Sequence, residues 1–111
     1  MSILPLVCCF FGGAFLANAV PHLVSGLRGE PFQTPFAKPP GRGLSSSAVN
    51  VVWGVANLAI GYALLCRIGR FDLMRTADAA AFGLGILALG LFLARHFGAL
   101  HGGNDPERRR P

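Results

Sequence analysis

The sequence predicts an all-α integral membrane fold, with three transmembrane helices and a Pro-rich interfacial loop. Three observations predict it. Of the 111 residues, 52% are hydrophobic and only 14% are charged, and the mean hydropathy is +0.51. A soluble domain this small exposes much of its chain and carries about a quarter of its residues charged. The charges are also clustered, because positions 3–27, 43–66 and 79–94 hold no Asp, Glu, Lys or Arg. Each of those stretches is close to the roughly 20 apolar residues that a spanning helix needs. The same lack of charge excludes a disordered chain, and no repeat period points to a solenoid. The expected organisation is one membrane domain over residues 1–100, with spans at about 3–27, 46–67 and 75–97 and a loop at 28–44. A polar tail, 101–111, follows and is expected to be disordered.

The first span begins with Pro5 in its first turn, where a missing N–H is harmless. Pro21 lies inside the run and leaves the carbonyl of Ala17 without a helical donor, so a kink is expected there. Ala17-Asn18-Ala19 matches the small-x-small pattern of signal-peptide cleavage. No Lys or Arg precedes the apolar region, however, and apolar residues continue through Val20, Leu23, Val24 and Leu27, so a retained span is expected. A lipoprotein cysteine at Cys8 fails on the same missing basic region and on the bulk of Val7 before it.

Residues 28–44 contain Pro31, Pro35, Pro39 and Pro40, which exclude a regular helix and disrupt any central strand. Phe32 and Phe36 set the segment apart from a flexible Gly/Ser linker. The favoured expectation is an extended segment on the headgroup region with both rings dipping inward. The alternative is a cap over a pocket between helices, its irregular backbone buried against protein.

The second span, led by Ser45, Ser46 and Ser47 as available caps, is the cleanest. The third has a charge-free stretch, Ala79–Ala94, of only about 24 Å at 1.5 Å per residue. It lengthens if Arg75 and Arg95 snorkel outward. Asp78 near its start meets the positive end of the helix dipole.

Three crossings place Arg67, Arg70 and Arg75 on the face of the N-terminus. Arg28, Lys38, Arg42, Arg95, Arg108, Arg109 and Arg110 then fall on the other. The positive-inside bias puts the loop and tail in the cytoplasm and the N-terminus outside. Placement between spans also accounts for the net charge of +5, with Arg108–Arg110 touching anionic lipid. Nucleic acid is not an expected partner, since no aromatic-basic surface is available. The expected partners are the bilayer and other membrane helices, in a homo- or hetero-oligomer.

Polar side chains within spans are the functional candidates, because hydrocarbon penalises them unless they find partners. Asn18 and His22 are one turn apart at Pro21, with Ser25 near the same stripe. Asn50, Gly54, Asn57 and Gly61 share one face of the second span, beside Trp53. Asn18, His22, Asn50 and Asn57 form either a polar intramembrane site under the loop or interhelical glue. Glue is favoured for Asn57, and the two readings stand even for His22 and Asn50. No metal site is expected from His22, His96 and His101, whose spacing carries no ligand signature. His96 reads as a dipole partner at a helix C-terminus. Cys8 or Cys9 and Cys66 lie toward one face, which allows a disulfide, but buried free thiols are favoured. No paired acids, nucleophile elbow, P-loop or dinucleotide glycine pattern occurs, so no catalytic residue and no cofactor is expected.

Each span carries small residues suited to close packing, including Gly12 and Gly13 in the first and Ala79, Gly83, Gly90 and Ala94 in the third. The expected role is therefore a non-enzymatic packing one, as accessory subunit or homo-oligomer. A small transporter or channel subunit with a polar site is the alternative, and a membrane enzyme with His22 as base comes third. The string Pro21-His22, Pro31-Phe32-Gln33-Thr34-Pro35-Phe36, Pro39-Pro40-Gly41-Arg42-Gly43, Ser45-Ser46 and Asn50-Val51-Val52-Trp53-Gly54 resembles an uncharacterised family of short multi-pass bacterial membrane proteins. The resemblance covers the first two spans and their loop, and implies a multi-pass membrane protein with no particular activity.

Overall fold

In the computed structural model, which describes residues 2–109, the first apolar run forms helix α1, Leu4–Leu27. No side chain caps it from Ile3, but Ser2 Oγ accepts the Leu4 N–H at 3.1 Å. The helix is unbroken through Pro21. Helix α2, Ser47–Tyr62, starts where Ser46 Oγ accepts the Val49 N–H at 3.2 Å, a cap from the expected serine run. It widens into a π-helical end, Ala63–Ile68, closed by Gly69 N–H on Leu64 O at 2.8 Å. The wide turn brings Leu65 onto Gly12, where a Cβ would lie 2.5 Å from the leucine Cγ. Helix α3 is Thr76–His101. All three, counting α2 with its π end, are long and apolar enough to cross a membrane.

Helix α3 overruns the expected end at 97 and takes in the first residue of the expected tail. Gly102 then stops it at φ 86°, a left-handed cap that glycine adopts without steric cost. Asn104 folds back over Gly98 and donates to Arg95 O at 2.9 Å. Where a structureless tail is expected, the described residues thus make a helix cap followed by a 3₁₀ turn, Pro106–Arg109. Arg110 lies outside the described residues, as do the side chains of Arg108 and Arg109, so their expected lipid contact is not addressed.

The arrangement is a layer with α1 in the middle, because α1 packs on both α2 and α3 while those two barely meet. Small residues make this possible. Gly54 receives Leu23, whose Cγ would stand 2.6 Å from an added Cβ, and Gly85 lies directly against the Phe10 carbonyl. The buried glycine of α3 in this crossing is thus Gly85, not the expected Ala79–Gly83–Gly90–Ala94 stripe. Gly83 and Gly90 have open space where a side chain would be, and Ala79 and Ala94 are not buried either. Near-uniform apolarity along α3 leaves several small-residue stripes equivalent in the sequence, and the backbone contact selects one.

The Pro-rich loop differs most from the favoured expectation. It is a hairpin of two short antiparallel strands, β1 (Phe32–Gln33) and β2 (Leu44–Ser45), with Phe32 opposite Ser45 and Gln33 opposite Leu44. Gly41 N–H and Ala37 N–H both bond Thr34 O, at 2.8 and 3.3 Å, which folds the intervening prolines into tight turns. Gln33 and Thr34 are buried. The hairpin therefore docks on protein, as in the alternative reading, and closes directly on side chains of the helix ends. Phe32 is half-buried, 5.4 Å from the His22 ring and 4.6 Å from Phe97, whereas Phe36 lies exposed beside Trp53.

Candidate functional site

The four polar candidates meet as two pairs across the α1–α2 contact. Asn18 Nδ2 donates to Asn57 Oδ1 at 2.9 Å, and His22 Nδ1 lies 2.7 Å from Asn50 Oδ1. One helical turn on α1 thus matches two turns on α2; Gly54 lets the backbones approach between the pairs, and Gly61 does so one turn beyond Asn57, against Leu16 and Gly12. Asn57 passes the chain on by donating to Trp53 O at 2.8 Å. Ser25 does not join; it is half-buried, and its carbonyl accepts the Glu30 N–H at 2.9 Å.

Asn50 is the hub. Its Nδ2 faces the carbonyls of Phe32, Ser45 and Ser46 at 3.2, 3.1 and 3.0 Å. Three acceptors on that side fix the amide orientation, since a flipped amide would set oxygen against oxygen. Oδ1 then faces His22 and can only accept. His22 Nδ1 must therefore carry the proton and donate, which leaves Nε2 as the ring's acceptor. Asn50 and Asn57 are fully buried and His22 is 2% exposed, so these bonds form away from solvent. Trp53 Nε1–H, close by, is buried with no acceptor among the described residues.

All three histidines act on the hairpin, which their spacing in the sequence did not reveal. His22 reaches it through Asn50. His96 Nε2 donates to Gly41 O at 2.6 Å, and His101 Nε2 lies 3.1 Å from Gln33 Oε1. His96 is expected to be a dipole partner at a helix end; α3 continues past it to His101, and its ring is instead a clamp on the hairpin. The buried Gln33 and Thr34, the latter bonded to Ser45 Oγ, also escape sequence reading, since they sit in a segment with no periodicity.

Such an arrangement holds helices and loop together. No group of three or more His, Cys, Asp or Glu side chains able to hold a metal occurs among the described residues. No carboxylate among the described residues pairs with His22. Asn18 lines a groove of about 290 Å³ between α1 and α3, while His22, Asn50 and Asn57 are buried. Cys8 and Cys9 are buried free thiols, whereas Cys66, expected to be buried too, is a free thiol on the surface.

At the opposite end, Arg75 turns toward the connection that precedes α3. It bonds Asp78 Oδ2 at 3.1 Å and donates to Arg70 O at 2.9 Å. Asp78 is buried in the first turn of α3 and also accepts the Asp72 N–H at 3.0 Å. The expected helix-dipole partner is thus also the anchor of the 69–75 connection.

Comparison with protein-family models, curated proteins and solved structures finds no match to this chain.

A first prediction tests the buried pair. His22→Ala removes the donor to Asn50 Oδ1 inside the protein and is expected to cost about 1–2 kcal/mol. His22→Asn, which retains a donor, should fall between that variant and the native chain in thermal unfolding in detergent. If the two variants instead unfold at the native temperature, His22 does not support the fold. If Asn recovers stability while a cellular function stays lost, the role is chemical.

Proposed function

We infer that this chain is a three-span integral membrane protein that acts by packing against further helices, as an accessory subunit or a homo-oligomer. The observation that carries the reading is the state of α3. Only 11% of its most apolar window is buried within the chain. Its outer surface presents Gly83 and Gly90 with nothing within 4 Å, flanked by Ala79 and Ala94. In a bilayer, lipid covers apolar surface generally, but an open small-residue stripe admits a second helix at close range. The internal use of the buried polar groups also favours packing over transport or catalysis. By the positive-inside bias the N-terminus faces outward, with hairpin and tail in the cytoplasm of a cell membrane.

Resistance to carbonate extraction tests integration, and cysteine accessibility tests the topology, with Cys66 and an introduced thiol in the hairpin expected on opposite sides. For assembly, purification in mild detergent and mass measurement should give a complex larger than one chain. Gly83→Leu and Gly90→Leu are expected to shift that mass toward the single chain without lowering the unfolding temperature, because neither glycine touches its own chain. A strict monomer with no bound partner would remove the packing function.

A further inference from the structure

We propose that the cleft between the N-terminal ends of α1 and α3 and the π-helical end of α2 is a binding site for the headgroup of an anionic phospholipid. The cleft has a volume of about 490 Å³ and is walled by Pro5, Leu6 and Ile68 on its apolar side and by Arg70, Arg75 and Asp78 on its polar side. Three separate parts of the chain meet there: the start of α1, the end of the π turn and the start of α3. The mixture matches an amphiphile, with phosphate at the arginines and the first methylenes of an acyl chain along Leu6 and Ile68.

Charge in the cleft is unevenly spent. Asp78 is buried and takes both the Arg75 guanidinium and the Asp72 N–H, so its negative charge is committed. The Arg70 side chain makes no hydrogen bond or ion pair among the described residues. The balance at the lip is therefore basic. Arg70 also stands at φ 50°, in the left-handed region where a non-glycine residue is strained and where Gly or Asn is the usual occupant. Stability does not explain an arginine at that position, whereas a role for its charge does. A phosphate oxygen accepts readily from a guanidinium, and a headgroup without a compensating amine leaves that attraction intact.

The proposal rests on the membrane reading above for its biological setting, but it is testable in detergent without it. Delipidated full-length protein in an uncharged detergent is titrated with phosphatidylglycerol, phosphatidylcholine or inorganic phosphate, and occupancy is read by native mass spectrometry. The native chain should prefer phosphatidylglycerol by about fivefold or more, the effect of one basic residue near anionic lipid. Arg70→Gly and Arg70→Asn should lose the preference while unfolding no earlier than the native chain, since both residues accept the left-handed conformation. Arg42→Gln, at the opposite end, should keep it. Equal binding of the two lipids, or a preference that survives both Arg70 variants, overturns the proposal. Displacement of the lipid by equimolar inorganic phosphate overturns it as well, because the apolar wall would then contribute nothing. A chain that resists carbonate extraction but lacks the Arg70-dependent preference sinks this proposal alone. A chain that shows the preference yet is released by carbonate sinks the membrane reading alone.

Discussion

Asn50→Leu is expected to cost about 2–4 kcal/mol and to release the hairpin from the helices. Leucine shares the branched shape of asparagine and is the larger of the two, so none of the effect is a cavity. The loss comes from groups left behind in a fully buried place: the Phe32 and Ser45 carbonyls lose their donor, and the His22 Nδ1–H loses its acceptor. Ser46 O is spared because it still accepts the Asn50 N–H at 3.0 Å. Asn50→Asp separates the two halves of the hub. The carboxylate continues to accept from His22 but turns an oxygen toward three carbonyls. Hydrogen exchange should then rise at least about tenfold over residues 32–45, while amides around Gly12 and Gly85 keep their protection. Unchanged exchange in the hairpin of both variants would mean that Asn50 does not hold it.

How much of this could be read in advance differs between the helices, for a physical reason. The buried face of α2 is Asn50, Gly54, Asn57 and Gly61, the same four residues that the sequence sets on one stripe. There the asparagines mark the stripe, because an amide in an apolar helix must turn toward a partner. Their partners on α1 were legible for the same reason, as was the Ser46 cap. Over Ala79–Ala94, α3 has no such marker. Glycine and alanine recur on every side of it, hydropathy hardly varies around the axis, and the choice of Gly85 over Gly83 or Gly90 depends on where the Phe10 carbonyl falls. The hairpin was hidden differently. Its strands are two residues each, too short for alternation to register, and what fixes them is distant: His96 on Gly41, His101 beside Gln33 and Asn50 on Phe32. Contacts across 18 to 68 positions leave no local pattern in a sequence.

The three glycines of the middle of α3 should respond in opposite ways to one added side chain. At Gly85 a Cβ would run into the backbone oxygen of Phe10, and with backbone on both sides neither partner can move aside without shifting a helix. Gly85→Val is therefore expected to cost about 3 kcal/mol or more, as overpacking does where the neighbour cannot rotate away. Even Gly85→Ala should separate α1 from α3. Because α3 barely meets α2 and is otherwise held mainly by His96, Phe97 and His101 on the hairpin, that separation leaves it tethered at one end only, and the variant should lose most of its folded yield in detergent. At Gly83 and Gly90 a Cβ meets nothing, so alanine there is expected to be neutral or to stabilise by up to about 1 kcal/mol through reduced backbone freedom of the unfolded chain. Thermal unfolding of the three alanine variants side by side gives the comparison. A Gly85→Ala variant as stable as Gly83→Ala would mean that α1 and α3 do not cross at Phe10, and the layered arrangement with α1 in the middle would fall with it.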